Sequence, residues 1–455
     1  MIIGNVLSKR YAAISLFFSL ALLVFFLSGN LWAKSKAPIK LGSLTDLTGP
    51  ASSMVVAMDA WGFKDYFDWV NQTKGGIEGH PVECSVVDTG YKMDKIKSGY
   101  EILLEKNILA MMCSLSPALE GLKSRFEKDK IVVMSGTANT PSMWPAGYVY
   151  QCWPTYADCA GFIVDRVIEQ VSAKRDIKSK PVRLAWLYAN NPMGMAILPA
   201  KAYAEARGCQ NVADEGEPMV PTNTVTELRR IAGSKADAII VGVLPAAMII
   251  NLKDAVRIGL SVPFYATLMT KLDGVIQYGG ISLAPGFYGM DTTGLWYPEY
   301  EAKSTAVKTA MQILRKKHPE GLTEPWKFFD GWQKAMILEE GLKNAIKAKG
   351  WPITRQDVKA GVDSLKDFNM QGINANVTMH AGIDNRGTVK CKFYKIEKKQ
   401  KGLAASALIV EKSDWISAPT VLPAKYETKC VGLKELCKKN GWTYFSPESG
   451  LIMGK

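Results

Sequence analysis

From Ile39 onward the chain alternates short β-rich runs with stretches of helical periodicity, and this alternation restricts its fold more than any other feature. "IKLGSL" (39–44), "VECSVV" (82–87), "ILAMMC" (108–113) and "IVVMS" (131–135) read as strands. Between the first two, Val56, Ala60, Phe63, Phe67 and Val70 fall on one helical stripe, and further helices are expected at 92–107 and about 117–128. Strands separated by single helices are βαβ units, which require a parallel sheet with helices on its faces. The pattern restarts after Tyr150–Pro154: a helix at 157–173, "VRLAWLY" (182–188), a helix through Gly208, "ADAIIV" (236–241), a helix to Gly259 and "VPFYA" (262–266). Longer helical patterns follow at 299–317, 326–347 and 354–366. The tail turns β-like, with "TVKCKFYKI" and "ASALIVEK" flanking the lysine run 395–401 as a hairpin. The fold class is therefore α/β, with two lobes of parallel sheet flanked by helices.

The glycine cluster "GGIEG" (75–79) is the one stretch that suggests phosphate binding, and its polarity argues against it. A phosphate loop runs from a strand through glycines into the amino end of a helix, where free N–H groups and the positive dipole end meet the anion. Here the glycines follow a helix and precede the strand at Val82, so carbonyls face them. Gly75 and Gly76 are expected to form a left-handed helix cap and Gly79-His80-Pro81 the turn into the strand.

Residues 1–33 are set apart as a secretory leader: Lys9-Arg10, an uncharged apolar run from Tyr11 to Leu27, and Leu31-Trp32-Ala33 as a small-residue cleavage site. Export would place the mature chain in the periplasm; removing Lys9 and Arg10 lowers the formal charge from +13 to +11, and an exported chain rarely meets nucleic acid. The eight cysteines contain no Cys-x-x-Cys and the three histidines are far apart, so neither a metal site nor a cofactor is expected. Cys152–Cys159 and Cys430–Cys437 are local pairing candidates that spacing alone does not establish. No G-x-S-x-G, H-E-x-x-H or Walker pattern occurs, and no enzyme is expected.

"AWGFKDYFDWVNQTKGGIEGHPVE" resembles the first helix and turn of periplasmic solute-binding proteins of the leucine/isoleucine/valine-binding family, which serve ABC importers of hydrophobic amino acids and amides. "IKLGSLTDLTGP", "MMCSLSPALEG", "IVVMSGTANTP", "LAWLYANNPMGMA" and "ADAIIVGVLPAAMIINLKDAVRIGL" are similar to its other segments, and the resemblance runs from about Ile39 to Gly387. It implies two Rossmann-like lobes joined by three crossings, near 151–155, 286–292 and 374–380. Lobe one would hold 34–153 and 289–376, and lobe two 154–288 and 377–455. Ligand would bind in the cleft outside the carboxyl ends of the strands.

By the same resemblance Thr48 and the loops carrying Ser114, Ser116, Thr137, Ala138 and Asn139 grip a ligand carboxylate or amide. From position alone these residues read equally as helix caps. Amino-acid binders of the family carry a second-lobe acid for the ligand ammonium; the matching region here offers Leu268 and Met269, and Met193 and Val243 stand where tyrosines are common. A buried ammonium without a counter-charge is costly, which favours an apolar or aromatic carboxylate, or an amide. Trp153, Tyr156 and Tyr265 are candidates for flat apolar walls and equally for ordinary core. The implied function is capture of a small molecule by a monomer and its delivery to a membrane permease by hinge closure. The alternative is a ligand sensor for a signalling partner.

Overall fold

The computed structural model describes residues 36–276, 286–292, 301–302, 304–401 and 404–454, so the expected leader at 1–33 lies outside them. A first sheet contains β1 (Ile39–Thr45), β2 (Val82–Asp88), β3 (Ala110–Cys113), β4 (Val132–Ser135) and β5 (Val149–Tyr150). Its order is β2-β1-β3-β4-β5 and every pairing is parallel. β3 and β4 are wholly buried, as strands covered on both faces must be, and this is why they read as plain apolar runs.

The second sheet takes β6 (Arg183–Ala189), β7 (Gln210–Glu217), β8 (Ala238–Gly242), β9 (Phe264–Ala266) and β10 (Tyr288–Asp291), then the late strands β11 (Lys390–Lys401) and β12 (Ala404–Glu411). Its path is β12-β11-β10-β9-β8-β6-β7, with the short β13 (Ile416–Ser417) beside β11. β11 and β12 form the expected antiparallel hairpin. The sequence reading missed β7, "QNVADEGE", because this edge strand has few apolar residues and is mostly half-buried. A third, small sheet, β14 (Thr420–Val421), β15 (Tyr444–Ser446) and β16 (Gly450–Ile452), closes the chain.

"GGIEG" is a turn. The helix Phe63–Lys74 ends at Gly75 with φ 69° and a bond from its N–H to the Val70 carbonyl, and Ile77 bridges His80. The segment before that helix departs from the expected stripe. Val56–Gly62 is a π-helix, and the wider turn buries Ala57, Met58 and Asp59 while leaving Val56 and Ala60 half-exposed. Phe63, Phe67 and Val70 are buried as expected.

Opposite lies the helix Pro325–Lys349, buried along most of its 25 residues. It meets the π-helix backbone to backbone, and glycine permits the approach: a Cβ on Gly331 would stand 1.9 Å from the Met58 carbonyl oxygen, and one on Gly62 2.0 Å from that of Phe328. Two sequence-distant segments are thereby locked at one end of the first sheet.

The chain passes between sheets after β5, after β10 and between Asp363 and Lys390. β10 is in register with β9 and β11, so a lobe boundary at 288/289 would cut a strand, and the second passage follows Asp291. The first and third of these passages are tied together by Arg386, which is fully buried. Its guanidinium donates to Asp158 at 2.8 Å, to Asp384 at 2.6 Å and to Thr420 at 3.0 Å. Asp158 in turn caps the helix Tyr156–Ser172 through a capping box with Thr155. The tail, expected whole in the second lobe, also packs on the first: Leu422, Tyr426, Leu433 and Tyr444 share a cluster with Leu44, Trp144 and Val149. Cys152, Cys159, Cys430 and Cys437 are free thiols.

Candidate functional site

A cavity of about 500 Å³ opens where the carboxyl ends of both sheets face each other. Its walls follow β1 (Ala51, Met54, Met58), β3 (Ser114, Ser116), β4 (Gly136, Thr137), β6 (Asn191, Met193), β8 (Leu244) and β9 (Leu268, Met269, Lys271). This is the crevice that a strand–helix alternation creates on its own, since each strand must end in a loop before the next helix. Trp153 and Tyr156 reach it from the first passage, and Trp326 and Asp330 from the helix Pro325–Lys349. The lining is mostly apolar and includes Tyr91, Trp153, Tyr156, Trp326 and five methionines.

Seven of the expected contact residues line this cavity: Ser114, Ser116, Thr137, Trp153, Met193, Leu268 and Met269. Four do not. Thr48 is exposed and donates its hydroxyl to Asp88 Oδ2 at 2.7 Å. The Ala138 carbonyl accepts from the Tyr156 N–H at 3.1 Å, and Asn139 donates to Glu120 at 3.0 Å. Val243 is buried with its carbonyl accepting from the Thr270 hydroxyl at 2.7 Å. Of the three expected aromatic walls, Tyr265 is displaced. It stacks on Tyr288 with ring centroids 4.8 Å apart and donates its hydroxyl to Gln170, within the second lobe.

The serine loop is organised differently from the expected carboxylate grip. Ser114 donates its hydroxyl to Asp59 Oδ1 and its backbone N–H to Oδ2 at 3.1 Å. Asp59 is fully buried, and burial pushes its carboxyl up to about 7, against the pull of the Ser114 bonds and with the Asp330 charge adding to the rise. Ser116 and Thr137 hydroxyls face each other at 3.2 Å.

The sequence reading missed Asp330, Trp326, Lys271 and Asp59. Asp330 accepts through Oδ1 from Lys334 and from Gln333 at 3.1 Å, while its Oδ2 has no partner. Burial raises its carboxyl, and Lys334 opposes the rise. Lys334 is fully buried and stands 3.1 Å from the centroid of the Trp153 ring. Lys271 ion-pairs with Asp291 at 2.9 Å and lies 5.3 Å from the Trp326 centroid. The indole Nε1 atoms of Trp153 and Trp326 are buried without partners. One signal was available: Lys271 follows Leu268 and Met269 in a loop already singled out, though a lysine reads by default as solvated. No group of three or more His, Cys, Asp or Glu side chains able to hold a metal occurs among the described residues.

The model of a family described as periplasmic binding protein matches residues 38–401. No curated protein matches the sequence. Among solved structures, a branched-chain amino acid ABC transporter protein from Thermus thermophilus with bound valine is similar at 17% identity and TM-score 0.71, covering 84% of this chain and 97% of that one. A fatty acid ABC transporter substrate-binding protein from Thermomonospora curvata shows 22% identity and TM-score 0.68, over 84% and 93%. A solute-binding protein of an ABC transporter from Rhodopseudomonas palustris BisB5, in complex with 3,4-dihydroxybenzoic acid, shows 16% and 0.65, over 84% and 98%. The chain, with its paired α/β lobes, belongs to the periplasmic binding protein family, a family of ABC-transporter solute-binding proteins rather than enzymes.

Proposed function

We propose that the protein captures a small apolar or aromatic molecule carrying a carboxylate or amide, and presents it in a closed form to the membrane permease of an ABC importer. The observation that carries this reading is the make-up of the cleft. Trp153, Tyr156, Trp326 and five methionines wall a cavity of about 500 Å³, and among the described residues the second lobe brings it a lysine and no carboxylate. A plain aliphatic α-amino acid would bury its ammonium with only first-lobe acids for company, and Asp330 is already paired with Lys334. Solved structures similar in fold bind valine or 3,4-dihydroxybenzoic acid, so this architecture accommodates both kinds of ligand. Here the wall chemistry favours the flat or apolar acid.

Closure follows from the arrangement of the walls. Ligand resting on Trp153 and the first-lobe loops gains the Met193, Leu268 and Met269 contacts only when the second lobe swings over it. Those differential contacts supply the population shift. A thermal-shift screen of aliphatic amino acids, aromatic acids, fatty acids and amides tests the reading, since binding to the folded state raises Tm by mass action. Aromatic or apolar acids or their amides are expected to raise Tm. Stabilisation by aliphatic α-amino acids alone would overturn the ligand class.

A further inference from the structure

We infer, resting on the ligand cleft proposed above, that the site holds its ligand with inverted polarity: a neutral hydrogen-bond donor on the ligand faces Asp330 in the first lobe, and the ligand's acidic end lies toward Lys271 in the second. The first lobe is where a carboxylate grip was expected. The corner found there is made of acceptors instead.

Asp330 is 3% exposed, and its Oδ2 is without a partner although Oδ1 has two. That oxygen lies against the cavity lining: a Cβ built on the lining residue Gly136 would stand 3.2 Å from it and 1.9 Å from Ser114 Oγ. With Asp59 ionised, Ser114 gives its single hydroxyl proton to that carboxylate, so what it presents to the cavity is lone pairs. A ligand carboxylate placed here would lie against the carboxylate of Asp330, with that of Asp59 behind Ser114. A ligand hydroxyl or amide N–H would supply the bond that the buried Oδ2 lacks, and a buried acceptor left unmade is unfavourable.

The donor is neutral for two reasons. The charge of Asp330 is already matched by Lys334. Both cavity tryptophans also carry cations: Lys334 lies 3.1 Å from the Trp153 centroid, and Lys271 and Lys327 lie 5.3 Å and 5.6 Å from that of Trp326. The negative ring faces that would attract an ammonium are thus already engaged by like charge. At the other end, Lys271 is the one cationic side chain on the described lining, shared with Asp291 at 2.9 Å. Together these features select a phenol, alcohol or primary amide joined through an apolar body to an acid.

Isothermal titration of the purified protein with four probes tests this: 3-(4-hydroxyphenyl)propionate, 3-phenylpropionate, 3-(4-methoxyphenyl)propionate and tyramine. The hydroxy acid is expected to bind at least ~10-fold tighter than the phenyl and methoxy acids, because a site built around a hydrogen bond rejects analogues lacking it. Tyramine is expected not to bind. In the double variant Asp330→Leu/Lys334→Met, which removes the buried pair together, the preference should fall to within about 3-fold. Equal or tighter binding of 3-phenylpropionate by the wild type would overturn the inverted polarity while leaving the ligand class standing. Retention of the preference in the double variant, or tight binding of tyramine, would overturn it as well. Failure of all four probes would overturn the ligand class and this inference with it.

Discussion

Asp59 shows how one buried side chain shapes both stability and the cleft. Burial lifts its carboxyl from 3.8 to about 7, so between these values the folded chain holds a proton that the unfolded chain has released. The associated stability is fully present below about pH 3.8 and is lost as pH rises through about 7. Asp59→Asn removes this dependence. The melting temperature of the variant, measured relative to wild type, is therefore expected to become more favourable from pH 5 to pH 8. A difference that stays constant across that range would show that Asp59 ionises normally. Taking the difference cancels Asp273 and Glu217, which burial also lifts to about 7. Asp59 was illegible in the sequence because its burial depends on a π-turn, and an ideal helical stripe through Val56 and Ala60 points it elsewhere. Ser114, Ser116 and Thr137 were legible through the family resemblance, and the loops that follow parallel strands lie at the cleft end of the sheet.

The π-helix and the helix Pro325–Lys349 act as one element although some 270 residues separate them in the chain. Their contact rests on Gly62 and Gly331, and it brings Asp59, Ser114 and Asp330 to the same corner. Gly331→Ala places a methyl group 1.9 Å from the Met58 carbonyl, so the two helices must separate. A loss of roughly 1–3 kcal/mol is expected from such overpacking, read as a lower urea midpoint. An unchanged midpoint would show that the contact is loose. The same logic explains which elements the sequence disclosed. β3, β4 and β8 are buried on both faces and stand out as apolar runs, whereas β7 at the sheet edge carries polar residues and was lost. Trp326 and Asp330 lie on a long helix with little amphipathic contrast, buried all round, so nothing local marks which of its residues meets the cleft.

At the scale of the molecule, the first and third passages between lobes meet at Arg386. It holds Asp158, on the helix that begins the second lobe, and Asp384, on the way to β11, with Thr420 of the tail as a third partner. Arg386→Met would leave two buried carboxylates without their cation, and a loss of about 3–5 kcal/mol is expected from breaking such a network on one side. Chemical denaturation measures it, and a loss below about 1 kcal/mol would show that the passages are held by packing alone. The sequence by itself determined the α/β class, the restart into a second lobe, the turn at "GGIEG" and the loops that border the cleft. Each of these follows from local periodicity, glycine conformation or strand order, which neighbouring residues set. Only the tertiary structure decided what the cleft presents to a ligand. Asp330 and Trp326 enter it through packing between distant segments, and the unpartnered oxygen of Asp330 lies beside the lining residue Gly136. Contacts of that kind depend on residues far apart in the chain, and no local pattern records them.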